Sequence, residues 1–193
     1  MNPSGSCRLS DDWQAFSLRG GESGNREADL ITDLNIWNRQ QRDSTSRNEF
    51  GVSRAQTKLG KVFSSSTIFI LPNGAKRSPD AAWVKLDRWL ALTPEQRQKF
   101  PPLVPDFLIE LRSETDRLQR LQDKMQEYID NGLPLGWLIN PEGARASDEE
   151  TSSAVAPQDA EVEIYRSQKA VEVRSMPAII SGESILPGFE LQV

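Results

Sequence analysis

Residues 103–140 read LVPDFLIELRSETDRLQRLQDKMQEYIDNGLPLGWLIN, and this stretch decides the fold. Leu103 to Leu111 is a compact apolar run bounded by Pro101-Pro102, as a buried strand would be. About residues 115–130 follow with Leu118, Leu121, Met125, Tyr128 and Ile129 three and four apart, one apolar stripe of a helix. Ser113 and Asp116 are placed to cap its start, and Asn131-Gly132 to end it. Leu135 to Ile139 is a second apolar strand. Strand, helix and strand at this spacing predict a parallel pair inside a mixed sheet, hence an α/β chain.

Upstream, Val62 to Leu71 (VFSSSTIFIL) is β-rich, Pro72-Asn73-Gly74 is a turn signal, and Pro79 to Val84 reads as a further strand. The two strands are expected to form a hairpin. Thr93, Pro94 and Gln96 carry the N-cap, N1 and N3 signals of a short helix. From Arg26 to Gln41, Ala28, Leu30, Ile31, Leu34 and Trp37 recur at roughly helical spacing and predict a first helix. A short strand is expected near Phe50–Val52. Residues 1–20 read as a polar N-terminal arm, and residues 21–193 as one domain. Downstream, about 142–160 is small, acidic and without period, and is expected to be a mobile loop. Val162, Ile164 and Tyr165 with Ala170 to Val173 predict a late hairpin, and Pro187-Gly188-Phe189 a turn.

Composition removes several kinds of chemistry. The chain has 193 residues, 37% hydrophobic and 26% charged, enough for one modest core. There is no histidine, which excludes Ser-His-Asp catalysis, histidine-ligated zinc and histidine general bases. The one cysteine, Cys7, can form no internal disulfide and has no histidine to activate it. A metal here should therefore be a hard cation held by oxygen, Mg²⁺ or Mn²⁺. The net charge is −5, against constitutive DNA binding but compatible with a local basic rim. No apolar run approaches the ~20 residues of a membrane span. Residues 1–14 carry no apolar signal core, so no membrane partner and a cytoplasmic location are expected.

Two carboxylates stand out. Asp80 opens a strand, and Glu110 interrupts an apolar strand near its end. A buried carboxylate must be paired, hydrogen-bonded, metal-bound or protonated. If the strands are neighbours, the two carboxylates meet at one edge of the sheet and repel unless a cation sits between them. Lys124 lies on the flank of the core face of the following helix and can lean toward Glu110. Plainer roles stand beside these. Asp80 can cap a turn, Glu110 can pair with Arg112 or Arg117, Lys124 can be a solvated surface charge, and Trp83, Trp137 and Tyr128 can be core aromatics.

Several segments resemble the Uma-two family of endonucleases in the PD-(D/E)XK superfamily. They are Ser78-Pro79-Asp80-Ala81-Ala82-Trp83-Val84, Pro105 through Ser113, Asp116-Arg117-Leu118, Lys124-Met125 with Tyr128, Gly132, and Gly136 through Pro141. Gly21 through Arg26, Val162 through Arg166 and Leu186 through Phe189 extend the likeness over roughly residues 21–190. The resemblance implies a restriction-endonuclease-like mixed β-sheet flanked by helices and metal-dependent hydrolysis of phosphodiester bonds in DNA. It implies Asp80 and Glu110 as ligands of Mg²⁺ or Mn²⁺, and Lys124, supplied from the next helix, as the catalytic lysine. Arg112 stands two residues after the glutamate, where the usual motif has lysine, and is an additional candidate that stays protonated. Relatives often contribute a glutamate from the N-terminal region, and Glu27 is the substitute here. By analogy a homodimer is expected. The rival expectation is an inactive nuclease-fold module that binds nucleic acid or protein, favoured by the acidic balance and the abbreviated N-terminal region.

Overall fold

The computed structural model describes residues 23–40, 59–113, 115–141 and 160–193. The arm at 1–20, the strand near 50–52 and nearly all of the acidic loop lie outside them.

The apolar run and helical stripe of residues 103–140 form the centre of the molecule as a strand–helix–strand unit. Strand β1 (Gly60–Ser64) is followed by β2 (Phe69–Ile70), β3 (Lys76–Arg77) and β4 (Ala81–Lys85). Helix α1 (Ser23–Gln40) precedes them; α2 (Leu86–Leu90) and α3 (Pro94–Gln98) lead into β5 (Phe107–Leu111). Helix α4 (Leu118–Asp130) connects β5 to β6 (Leu135–Asn140), and β7 (Glu161–Arg166), β8 (Glu172–Ser175), β9 (Ile179–Ser181) and β10 (Glu190–Gln192) complete the order. One six-stranded sheet runs β1-β4-β5-β6-β7-β8. The β5–β6 pair is parallel, as a helical crossover requires, and its neighbours β4 and β7 are antiparallel. The sheet is therefore mixed and flanked by helices, as expected.

Side-chain alternation divides the core in two. Ala81, Trp83, Phe107, Ile109, Trp137, Ile139, Val162 and Ile164 face α1, where Leu30, Leu34 and Trp37 pack with Phe189 and Leu191. Ala82, Val84, Leu108, Leu138 and Tyr165 face α4, where Leu121, Met125 and Tyr128 close over them. Gly136 belongs to this second face. A Cβ there would come within 2.7 Å of Met125 Cε and 2.8 Å of Leu133 Cδ2, so the missing side chain is what lets α4 lie close on the sheet.

Several expectations need correction. The β-rich segment 62–71 is two strands, not one. β1 pairs with β4 as the hairpin reading required, but β2 pairs with β3 around the Pro72-Asn73-Gly74 turn. Serine side chains replace ladder bonds at the break: Ser78 Oγ donates to the carbonyls of Ser65 and Thr67, and Ser64 Oγ meets Ser66 Oγ at 2.8 Å. The strand predicted over 103–111 begins only at Phe107. Pro105 has no N–H for a ladder, and the Asp106 carboxylate instead accepts from Lys85 N at 2.8 Å and pairs with Arg88 at 3.0 Å. Ala28 is exposed rather than on the buried face of α1. Ser113 and Asp116 bond each other in the turn before α4, while the N-cap position belongs to Arg117 and makes no side-chain cap bond. The β9–β10 pair was not anticipated. The capping box of α3 is present as read, with Thr93 Oγ1 accepting from Gln96 N at 3.2 Å and Gln96 Oε1 from Thr93 N at 2.9 Å.

Candidate active site

The antiparallel register of β4 and β5 sets Ala81 against Ile109. One step further along the same register, Asp80 stands opposite Glu110 on the α4 side of the sheet. The Asp80 carboxylate holds that place by accepting from the Leu111 N–H at 2.7 Å. Glu110 is 2% exposed among apolar neighbours. Its two oxygens are claimed by α4: Lys124 Nζ donates to Oε2 at 2.7 Å and the Tyr128 hydroxyl to Oε1 at 3.2 Å. Lys124 also donates to the carbonyl of Ser78 at 3.2 Å, so the lysine bridges the end of β5 and the approach to β4. Asp80, Glu110 and Lys124, which the sequence places 30 and 14 residues apart, are thus brought together. The structural alternative for Glu110 was a pair with Arg112 or Arg117; the ion pair that forms is with Lys124.

Burial pushes the Glu110 carboxyl up to about 7. Lys124 works against that shift and the neighbouring Asp80 adds to it. Burial also raises Asp80, opposed by the Leu111 N–H and by Lys124, and reinforced by Glu27 and Asp116. Burial and the Glu110 charge push the Tyr128 hydroxyl up, so it stays a donor at neutral pH. One lysine therefore stands beside two carboxylates, Glu110 buried and Asp80 half-buried, and both are held above their ordinary range.

Glu27 of α1 comes close enough for its charge to act on Asp80, and its Oε1 accepts from Ser65 Oγ at 2.6 Å. Arg112 goes elsewhere. Its Nε donates to the Asp116 carbonyl at 3.1 Å and its Nη1 to Asn140 Oδ1 at 3.4 Å, tying the turn before α4 to the end of β6. In the sequence Tyr128 stood among the residues that carry the resemblance and otherwise read as core, with no role of its own; its spacing of one turn from Lys124 was the available signal. The Ser78 carbonyl had no signal, because a backbone acceptor is not written in residue type.

The donors at the site are all oxygen, the set that suits a hard divalent cation. Among the described residues no group of three or more His, Cys, Asp or Glu gathers in a metal-holding arrangement, so the fit is a pair of carboxylates and not a full cage. Mg²⁺ suits such a pair, since it keeps several waters and needs only one or two carboxylates.

A mixed sheet with a carboxylate pair on adjoining strands and a lysine from the crossover helix defines a restriction-endonuclease-like protein. The chain belongs to the Uma2 family, whose model is described as "Putative restriction endonuclease" and matches residues 9–193. Among solved structures, a crystal structure described as "a putative nuclease belonging to DUF820" from Anabaena variabilis is similar to it, with a TM-score of 0.60 and 17% identity. That match covers 91% of this chain and 80% of the other, and it supports the fold. No curated protein matches the chain. Among the described residues no helix is long and apolar enough to cross a membrane.

Proposed function

We propose that the protein is a Mg²⁺- or Mn²⁺-dependent endonuclease that hydrolyses phosphodiester bonds of DNA, with Asp80 and Glu110 as metal ligands and Lys124 as the third catalytic group. The observation that carries this reading is the convergence of Asp80, Glu110 and Lys124 at the meeting point of β4, β5 and α4. When bound, the cation supplies an activated water and charge stabilisation at the phosphate. The residues do the rest. Asp80 is oriented by the Leu111 N–H and Glu110 by Tyr128, and the cation would share Glu110 with the Lys124 ammonium that now pairs with its Oε2. Lys124, whose side chain is 24% exposed, keeps its ammonium at the boundary between core and solvent, where it can orient the attacking water or meet charge developing on the phosphate. Glu27, whose Oε1 accepts from Ser65, lies outside the ligand pair in this reading and acts on Asp80 only through its charge. Arg112, engaged with Asn140 and Asp116, serves as a brace in this reading.

A second reading keeps the fold and abandons turnover: a module that binds nucleic acid or protein. The direct Lys124–Glu110 ion pair, which already satisfies one carboxylate oxygen, and the net charge of −5 favour it.

Cleavage of plasmid and oligonucleotide DNA with Mg²⁺ or Mn²⁺ separates the two. The native chain should nick DNA only with a divalent cation. Asp80→Ala and Glu110→Ala should abolish cleavage while circular dichroism stays unchanged, and Lys124→Met should slow it about 10²–10³-fold. Cleavage that survives both carboxylate changes would refute the site. No cleavage by the native chain under any cation, with DNA still bound, would support the binding module.

A further inference from the structure

Glu163 is a buried carboxylate that the site does not use. It is 4% exposed on β7, on the α4 side of the sheet. The strand registers set Glu110 against Leu138 and Leu138 against Glu163, so the two buried glutamates lie in one row across β5, β6 and β7. Both oxygens of Glu163 are occupied. Gln122 Nε2 of α4 donates to Oε1 at 2.7 Å, and the Tyr165 hydroxyl donates to Oε2. Burial and this bond push the Tyr165 hydroxyl up, so it remains protonated and keeps donating at neutral pH.

Gln122 and Lys124 stand on opposite flanks of the buried stripe Leu121, Met125 and Tyr128. Helix α4 is therefore anchored by polar bonds on both sides: to β5 through Lys124 and Tyr128 on Glu110, and to β7 through Gln122 on Glu163. Between the anchors it rests on Gly136, which provides close approach but no side chain to stop the helix from rolling. Apolar contacts resist separation and say little about rotation, because they are not directional. Directional bonds on the two flanks do fix rotation. A buried carboxylate is also a costly way to fill space that an apolar residue would fill at least as stably.

We propose that Gln122, Glu163 and Tyr165 form a positioning clamp that sets the roll of α4 and so holds Lys124 on Glu110. The roles differ within the clamp. Tyr165 orients the carboxylate, Glu163 is the fixed point on the sheet, and Gln122 is the arm of the helix. Among the described residues, the side-chain bonds of the three run to one another and not to Asp80, Glu110 or Lys124. The clamp's part in catalysis rests on the nuclease reading, but its effect on Lys124 does not.

The test reads Lys124 directly. The full-length protein is treated briefly with an amine-acetylating reagent, and modification of each lysine is followed by peptide mass spectrometry. Exposed Lys61 and Lys85 are internal standards. In Gln122→Leu and Glu163→Leu, Lys124 should be modified about fivefold faster than in the native chain, with the standards unchanged. Glu163→Gln keeps an acceptor for Gln122 and should stay within about twofold. If Glu163→Leu does not fold, Gln122→Leu, at a half-buried helix position, still decides. Cleavage measured on the same variants should show a loss in kcat with KM unchanged, since the clamp acts on the lysine and not on substrate contacts. Lys124 reactivity unchanged in a folded Gln122→Leu protein overturns the clamp. Faster Lys124 modification with no cleavage by any form, native included, upholds the clamp and removes the nuclease reading instead.

Discussion

The two faces of the central sheet are made by the same strands and both bury an apolar cluster, but they differ in the rings and the charges they carry. On the α1 side, alternate residues of β4, β5 and β6 bring Trp83, Phe107 and Trp137 together with Trp37 and Phe189. Phe107 and Trp137 meet edge to face at 4.7 Å, and Trp137 stacks on Phe189 at 5.9 Å and 10°. On the α4 side, the intervening residues carry Glu110 and Glu163, with Asp80 at the margin, and every carboxylate oxygen of the two buried glutamates receives a donor. The difference separates two tasks. The aromatic face supplies cohesion through area removed from water. The polar face gives up part of that cohesion to hold charged groups at fixed points, as a site needs.

The comparison breaks first at its extremes. Trp137→Ala on the aromatic face should lower unfolding stability by about 3–5 kcal/mol, because it leaves a cavity among rings that cannot collapse to fill it. Glu110→Gln on the polar face should change stability by only about 1 kcal/mol, and in either direction, since it removes a poorly compensated buried charge along with its ion pair. Urea unfolding of the two variants decides. Equal losses would mean that the carboxylate is a structural element like the tryptophan.

A smaller effect comes from the contact between α4 and the sheet. Gly136→Ala puts a methyl against Met125 and Leu133 and should cost about 1–3 kcal/mol. It should also raise α4 from the sheet and slow cleavage, which no apolar change on the α1 side of similar cost should do. Thermal unfolding and plasmid nicking of the same protein check both halves.

The smallest effect tests intolerance of charge beside the aromatic face. Asp33 of α1 is held up at about 6 by burial, with Asp29 adding to the shift. The folded chain keeps this proton while the unfolded chain has lost it, so stability falls as pH rises from about 4 to about 6 and is constant above. Asp33 is only partly buried, so solvent screening reduces the penalty to about 1 kcal/mol or less. Asp33→Asn should remove that slope and make the protein slightly more stable at pH 7. Parallel pH profiles for variant and native chain would show the carboxylate to be solvated.

What the sequence disclosed follows the same division. The strand–helix–strand unit was legible because the apolar run at 103–111 and the stripe from Leu118 to Ile129 have different periods. Glu110 was legible because it breaks an apolar run, Asp80 because it opens a strand, and Lys124 because it flanks the core face of the next helix, and all three because their order resembles a family. The clamp was not. Val162 and Ile164 showed one buried face of β7, but period-two alternation does not tell whether the other face meets water or a helix, and Glu163 reads as solvent-facing on pattern alone. The break at Ser65–Ser66 was hidden for a related reason. Serine is compatible with a β-rich run, and the bonds of Ser78 that end the strand come from 13 and 11 residues away. Glu27 was placed on α1 by spacing, and its approach to Asp80 depends on how α1 crosses the sheet, which no local pattern encodes.

The central claim is that Asp80 and Glu110 together hold a divalent cation. Calorimetric titration of Mn²⁺ tests it most directly, comparing the native chain with Asp80→Ala, each with a short cleavage-resistant phosphorothioate DNA duplex present to complete the coordination shell. Binding to the native chain that disappears in Asp80→Ala is the predicted result. Equal binding by both proteins, or none by either, would contradict it.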